Sequence, residues 1–339
     1  MIDRDLLARL ADGPISGNAL ASALGLTRSA VWKRIEGLRA AGIDVRAESG
    51  RGYRLLAPVE WLDAGRLIAG LSPVARAQLA DLRIWPETAS TNALALAEAP
   101  AARACRVYLA ERQTAGRGRR GRSWASPLAA NLYLTLSRRF EGGVAALQGL
   151  ALAVGVAAAE ALHAGGFPQV RLKWPNDLWV EGRKLGGILI EIGGEMSGPV
   201  QAAIGLGVNV RMPPATAAQI DQPWCDLASL TEVGIVSRQA VAGALLEHLL
   251  PALAQFQAEG LTPFLGRWRA LDAMVDEPVR IIDGATTYEG IARGIDTVGA
   301  LRLETSTGER RFHGGEVSLR SAGKPARGDR AGAEKARAS

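Results

Sequence analysis

Cysteine and histidine are scarce in this 339-residue chain: Cys105 and Cys225 are its two thiols, and His163, His248 and His313 its three imidazoles, all isolated from one another. With no CxxC pair and no metal-ligand spacing, a disulfide framework, a zinc module and a Cys/His nucleophile lack support, and a reduced, cytoplasmic protein is expected. Long apolar runs are also missing. The longest, from Gly149 to Ala159, falls short of the ~20 residues that span a bilayer, so no membrane partner is expected. The opening MIDRDLLARL carries acidic residues where a signal peptide would have an apolar core. Internal repeats, a Walker loop and a Rossmann fingerprint are absent from the pattern. Nor does one sign of charge dominate. The net +6 includes five basic and two acidic residues within 321–339, a Gly/Ala/Pro/Arg tail expected to be disordered. The remaining excess is thin over 320 residues and does not by itself argue for nucleic acid.

What is present falls into three segments before that tail. In residues 1–57, helical spacing over Asp3–Leu10 ends at Asp12-Gly13; Ser16 is placed to cap a second helix, Gly17–Leu24, and Thr27 a third, running to about Ala41. Gly25 permits the sharp turn between them. Two strands, Asp44–Arg46 and Tyr53–Leu55, flank a Ser49–Gly52 turn. Short helix, glycine turn, second helix and charged hairpin form a winged helix-turn-helix pattern. Thr27, Arg28, Ser29, Lys33 and Arg34 fall where groove-reading residues sit, and Arg51 lies at the tip of the wing, where it suits phosphates. A solvated packing module with ordinary surface arginines is the alternative.

Residues 58–270 alternate helices (Leu62–Leu71, Thr91–Glu98, Leu147–His163, Ser237–Glu259) with strands (Val107–Glu111, Asn131–Ser137, Val170–Trp174, Lys184–Ile192, Ala202–Val210). Several strands adjoin through short turns, which predicts a mixed, largely antiparallel sheet with helices, hence an α+β class. Residues 271–320 carry closely spaced short strands between Gly284, Gly299 and Gly308, which suggests a small barrel.

Four motifs carry chemistry. Gln113 to Trp124 reads QTAGRGRRGRSW: its glycines let backbone amides face a ligand, and its arginines offer forks for carboxylate or phosphate. Alone it is equally an RNA-contacting segment or a solvated loop. KWPNDL, from Lys173, ends a strand at Pro175 and turns at Asn176-Asp177, so that a lysine, an amide and a carboxylate are presented together; a plain hairpin corner has the same pattern. RKLGGILIE, from Arg183, puts a cation at the mouth of an apolar strand with two glycines behind it, and GLGVNV, from Gly205, alternates glycine along a strand. Both suggest close approach of a ligand to backbone, although most of the apolar residues read as core.

In order and spacing, Ser90-Thr91-Asn92, the GRGRRGRSW loop, KWPNDL, RKLGGILIE and GLGVNV resemble the catalytic domain of biotin protein ligases. The resemblance extends over the N-terminal winged helix and the C-terminal segment, including Arg293–Asp296 and Gly314–Leu319, and covers residues 1–321. It is closest to the bifunctional ligase–repressor subclass, which implies that the C-terminal segment is an SH3-like barrel. It implies an enzyme that joins biotin to ATP as biotinyl-5′-AMP and then passes biotin to a lysine of the biotin carboxyl carrier protein of acetyl-CoA carboxylase. Mg²⁺ accompanies the ATP, with no dedicated protein metal site expected.

Carried over residue by residue, the resemblance implies biotin contacts from Ser90, Thr91, Asn92, Gln113, Gly116, Arg117, Gly118, Arg119, Lys184, Gly187 and Gly205. Nucleotide contacts fall to Arg122, Trp124, Lys173, Asn176, Asn209 and Trp224, and catalysis to Lys184 and Arg119. Adenylate binding is expected to order the Arg117–Arg122 and Pro213–Trp224 loops, to promote a homodimer and so to pair two winged helices on operator DNA. The alternative is a biotin-sensing regulator without ligase activity.

Overall fold

The computed structural model describes residues 3–321 except 58, 102–103, 195–197, 233–234, 285 and 314–316. Residues 322–339 of the expected tail and the Gly314–Glu316 motif lie outside the described residues.

Three helices open the chain: α1 (Arg4–Ala11), α2 (Gly17–Leu24) and α3 (Arg28–Ala40). Each starts at a residue whose side chain accepts an amide three positions on: Asp3 from Leu6, Ser16 from Ala19 and Thr27 from Ala30, at 3.0–3.2 Å. Such a cap is worth about 1 kcal/mol, so local sequence alone sets these boundaries. Gly25 closes α2 at φ +65°, a left-handed turn that suits glycine. The wing follows as an antiparallel pair, β1 (Val45–Glu48) and β2 (Gly52–Leu55). Leu6, Leu10, Leu20, Val31, Ile35 and Leu38 form its core, which also takes in Leu128 and Ala129 from the middle of the chain. The Leu128 amide donates to Ala41 O at 2.7 Å, so this unit is seated on its neighbour rather than tethered to it.

The connecting segment is clamped as well. Leu62 N donates to Glu111 at 2.8 Å, and fully buried Glu111 pairs with Arg238 at 2.8 Å. Removing one partner of so buried a pair costs about 3–5 kcal/mol.

The middle elements are α4 (Ala64–Ala69), α5 (Pro73–Ala77), β3 (Leu79–Trp85), α6 (Thr91–Ala97), β4 (Cys105–Ala110), β5 (Leu132–Phe140), α7 (Leu150–Ala164), β6 (Arg171–Lys173), β7 (Asp177–Val180), β8 (Arg183–Gly193), β9 (Val200–Val208), α8 (Pro214–Ala217), α9 (Arg238–Glu259) and α10 (Leu265–Leu271). The helix expected over Leu62–Leu71 is shorter, α4 alone, because Asp63 caps its start and Gly70 its end; α5, capped by Ser72, is a separate helix beyond that span. The seven strands run β3-β4-β5-β9-β8-β7-β6, antiparallel throughout except for β3 beside β4.

Side-chain alternation then decides the function of each sheet face. One face carries Leu132, Leu134, Leu136, Leu178, Leu185, Ile188, Ile204, Leu206 and Val208, buried in one core with α7 and α9. Counting Val144–Leu147 with it, the apolar stretch through α7 reaches 21 residues and is by length and composition able to span a bilayer, longer than the uninterrupted run suggested. Here it is a core helix, with eleven α7 residues buried under the sheet. The opposite face holds Gly187, Gly205 and Gly207, aligned across β8 and β9.

At the C-terminus, β10 (Pro278–Asp283), β11 (Thr286–Ile295), β12 (Leu301–Thr305), β13 (Gly308–Phe312) and β14 (Val317–Ser321) make an antiparallel sheet in the order β13-β12-β11-β10-β14. It docks through Trp174, whose indole donates to Gly299 O at 3.0 Å.

Candidate active site

The glycine face forms a floor because its missing side chains leave room for others to fold over it. A Cβ on Gly207 would lie 2.6 Å from the Trp124 ring, and one on Gly205 would run into Asn92 Oδ1. Above Gly187 sits Lys184; a Cβ there would be 3.3 Å from the Lys184 ammonium. Cross-strand register puts Lys173, Asp177, Gly187 and Gly207 in one row on this face. The irregularity between β7 and β8 turns Lys184 onto the same side, opposite Trp179. Gly186 is a requirement in space, since a Cβ would meet Gly207 O at 2.6 Å.

At one end the floor is already knitted. Thr135 Oγ1 donates to Asn92 Oδ1 (2.6 Å) and lies 2.8 Å from Thr91 Oγ1; Asn92 Nδ2 donates to Glu191 (2.8 Å) and Leu189 O (3.2 Å). Gln113 Oε1 accepts from the Thr91 amide and hydroxyl at 2.9 and 3.1 Å. Ser90, Thr91 and Asn92 are all buried.

The other end is cationic. Lys184 Nζ lies 2.8 Å from Asp177 Oδ1 and 5.6 Å from the Trp124 ring centre. Arg119 donates to Asn176 Oδ1 at 2.9 Å, while Asn176 Nδ2 holds Ile188 O at 2.6 Å. Lys173 Nζ stands 4.1 Å over the Trp179 ring. Burial pulls Arg119 below the ordinary arginine value; Asp177 opposes this, whereas Arg120 and Arg122 reinforce it. The group stays charged at neutral pH nonetheless. Two of the five buried side-chain polar atoms without a partner among the described residues are Arg119 Nη2 and Trp124 Nε1. Unsatisfied buried donors are costly, and an acceptor entering here would relieve both.

Two segments wall the floor. Gly116–Trp124 closes on itself: Gly118 N donates to Arg122 O at 2.7 Å, with Arg120 and Gly121 at φ +58° and +72°. Arg117 reaches back to Glu191 at 3.1 Å, and Arg122 is exposed. The second wall, 212–224, contains α8 and is pinned at its end: Lys184 N donates to Pro223 O at 3.0 Å, which sets Trp224 beside Lys184, and Asn209 Nδ2 donates to Cys225 O at 3.0 Å. Asn209 is thus committed to fastening this wall.

Most of the catalytic and ligand residues expected from sequence therefore border one floor, whereas Ser90 and Asn209 are buried and Gly118 and Arg122 lie out on the loop. Asp177, Glu191 and Thr135 were missed as members. KWPND hinted at Asp177; nothing marked Thr135, whose role depends on a neighbour 43 residues away.

On the winged unit, Thr27, Arg28, Ser29, Lys33, Arg34 and Arg51 are all exposed. Thr27 is occupied with its cap and with Ser29, and Arg34 is bound to Asp3 at 2.6 Å. Arg28, Lys33 and Arg51 remain as outward cations.

Residues 85–209 match the Biotin/lipoate A/B protein ligase family, residues 3–54 an HTH domain, and residues 275–320 the Biotin protein ligase C terminal domain. The chain is 43% identical to "Bifunctional ligase/repressor BirA" of Salmonella typhimurium over 319 residues, 94% of this chain and 97% of that protein. It is 36% identical to "Biotin--[acetyl-CoA-carboxylase] ligase" of Paracoccus denitrificans, across 68% of this chain and 97% of that one. Among solved structures, "Biotin protein ligase from Aquifex aeolicus in complex with biotin and ATP" aligns at a TM-score of 0.62 and 26% identity, over 72% of this chain and all of that one.

Proposed function

The chain belongs to the bifunctional biotin ligase/repressor family, and on that premise we propose that it activates biotin with ATP as biotinyl-5′-AMP, delivers it to a lysine of the carrier protein of acetyl-CoA carboxylase, and represses transcription in response to biotin. The observation that carries this reading is Lys184, held between Asp177 and the face of Trp124 directly over Gly187.

Biotin's carboxylate, with an ordinary pKa near 4, is already ionised at neutral pH, so its attack on the α-phosphorus needs no general base. It needs two anions brought together and the growing charge on phosphorus stabilised. Asp177 holds the anion position beside Lys184; an incoming carboxylate or α-phosphate takes over that ammonium. Arg119 Nη2 and Trp124 Nε1, both lacking acceptors, suit the same ligand. We assign Thr91, Asn92, Gln113, Gly116, Arg117, Gly187 and Gly205 to biotin, and Arg122, Lys173, Asn176, Trp124 and Trp224 to the nucleotide, with Ser90, Gly118 and Asn209 supporting them. Pyrophosphate leaves in the first step; in the second the carrier's lysine amine attacks the mixed anhydride and AMP departs. Mg²⁺ enters as part of the MgATP substrate. Among the described residues no cluster of three His, Cys, Asp or Glu side chains is gathered for a resident metal.

The functional division follows residues 1–57 for DNA, 58–270 for chemistry and 271–320 for the small C-terminal domain. Two buried cysteines outside any disulfide suit a reducing cytoplasm. Adenylate closes both walls, and closure favours a homodimer that sets two α3 helices on a palindromic operator.

Transfer of labelled biotin to a carrier domain tests the reading. Wild type is expected to release pyrophosphate and label the carrier, whereas Lys184→Ala slows adenylation about 10²–10³-fold, as loss of a charge-stabilising donor does, with an unchanged melting temperature. Wild type that binds biotin but releases no pyrophosphate would make the chain a sensor and overturn the ligase reading.

A further inference from the structure

The charged residues of α3 do not account for its whole outward surface. Val31, Ile35 and Leu38 face the core, and Arg28, Ser29, Trp32 and Lys33, at i, i+1, i+4 and i+5, share a strip over the first two turns. Trp32 is 54% exposed. Of the seven large hydrophobic side chains left exposed among the described residues it is the sole aromatic. Trp61, in contact with the same unit, is covered by the Arg4 guanidinium at 4.6 Å; no cation is stacked on Trp32 among the described residues. An indole held in water on a helix tip is a large apolar surface awaiting cover.

Charge identifies the cover. Residues 28–54 carry seven basic and three acidic side chains, and two of the acids are spent locally, Glu36 on Arg39 at 2.6 Å and Glu48 on Arg54 at 3.6 Å. A second copy of this face would be repelled, whereas a polyanion would be drawn in. The major groove of DNA admits a helix and presents one apolar group on its floor, the 5-methyl of thymine.

We infer that Trp32 is a base-reading residue: its indole lies against a thymine methyl in the major groove while Arg28 and Lys33, on either side, engage phosphate or guanine edges. This rests on the DNA-binding reading above and adds a sequence preference to it. Basic residues hold the duplex whatever its sequence, and Trp32 discriminates.

The test uses the full chain with biotin and ATP, and a duplex that wild type itself enriches from a randomised library. Binding is followed by fluorescence anisotropy beside an unselected duplex. Trp32→Ala is expected to weaken the enriched duplex about tenfold, leaving the unselected duplex, the salt dependence and the ligase rate unchanged; Trp32→Phe recovers part of the loss. Replacing thymine by deoxyuridine at one or two positions weakens wild type and has no effect on Trp32→Ala. Lys33→Ala, by contrast, weakens both duplexes and flattens the salt dependence. If Trp32→Ala matches wild type on the enriched duplex, or every deoxyuridine is neutral, the inference fails while DNA binding stands. A variant altered in sedimentation but not in DNA affinity would assign Trp32 to a protein contact and overturn it equally. Failure of wild type to enrich any duplex removes the DNA-binding reading, and this inference with it.

Discussion

The floor of the site and its walls are built by opposite means. Along the floor, three glycines line a central pair of strands, and one end, over Gly205, is knitted by hydrogen bonds among Thr135, Thr91, Gln113, Asn92 and Glu191. The walls are Gly/Arg and Pro-rich connections held by few contacts: Arg119 to Asn176, Arg117 to Glu191, and Pro223 to Lys184. The contrast teaches a division of labour. Shape recognition is fixed before the ligand arrives, since a sheet with a buried reverse face cannot shift without disturbing its core. Lys173 and Lys184 stand on the floor itself, whereas Arg117, Arg119, Arg120 and Arg122 share one short loop whose like charges repel, so an anionic ligand helps to assemble that wall.

Breaking the floor is expected to have the largest effect. In Gly205→Ala the new methyl collides with Asn92 Oδ1 and disrupts the Thr135 bond. Displacements of about 1 Å in such sites cost about 10²-fold, so biotin affinity measured by titration calorimetry is expected to fall on that order, with about 1–3 kcal/mol of stability lost to overpacking. A change at the seam acts more selectively. Gly207→Ala displaces Trp124, 2.6 Å from the added carbon; adenylate retention, followed by filter binding, drops about tenfold as one stacking cover is lost, while biotin alone still binds. Smallest is a change in the wall's outer tie. Arg117 and Glu191 are partly exposed, at 49% and 27%, and such a pair is worth about 0–1 kcal/mol. Arg117→Ala therefore leaves thermal stability unchanged and raises the KM for biotin only about two- to fivefold; a 100-fold effect would mean that the wall is as preformed as the floor.

Legibility in the sequence follows the same division. Caps at Asp3, Ser16 and Thr27 act within three residues, so the winged helix could be read directly. α9 was expected as one helix and is one, although Pro251 sits inside it. β3 went unread because its partner β4 begins beyond α6, and a parallel edge pair leaves no local turn signal. β7 was hidden for another reason: four residues after Asn176 are too few for alternation to register. At the site, motifs named the cations and glycines, whereas Thr135 and Glu191 gain their roles only when β5, β8 and α6 meet. The need for glycine at 186 has no local signal, because the nearby Gly207 carbonyl belongs to another strand.

Hydrogen exchange on the whole chain, with and without biotin plus ATP, tests the division directly. Amides of 114–124 and 213–224 are expected to slow at least about tenfold on binding, while those of 202–208, already slow, stay as they are. Equal protection of both regions, or none in the walls, would contradict a preformed floor closed over by ligand-ordered charge.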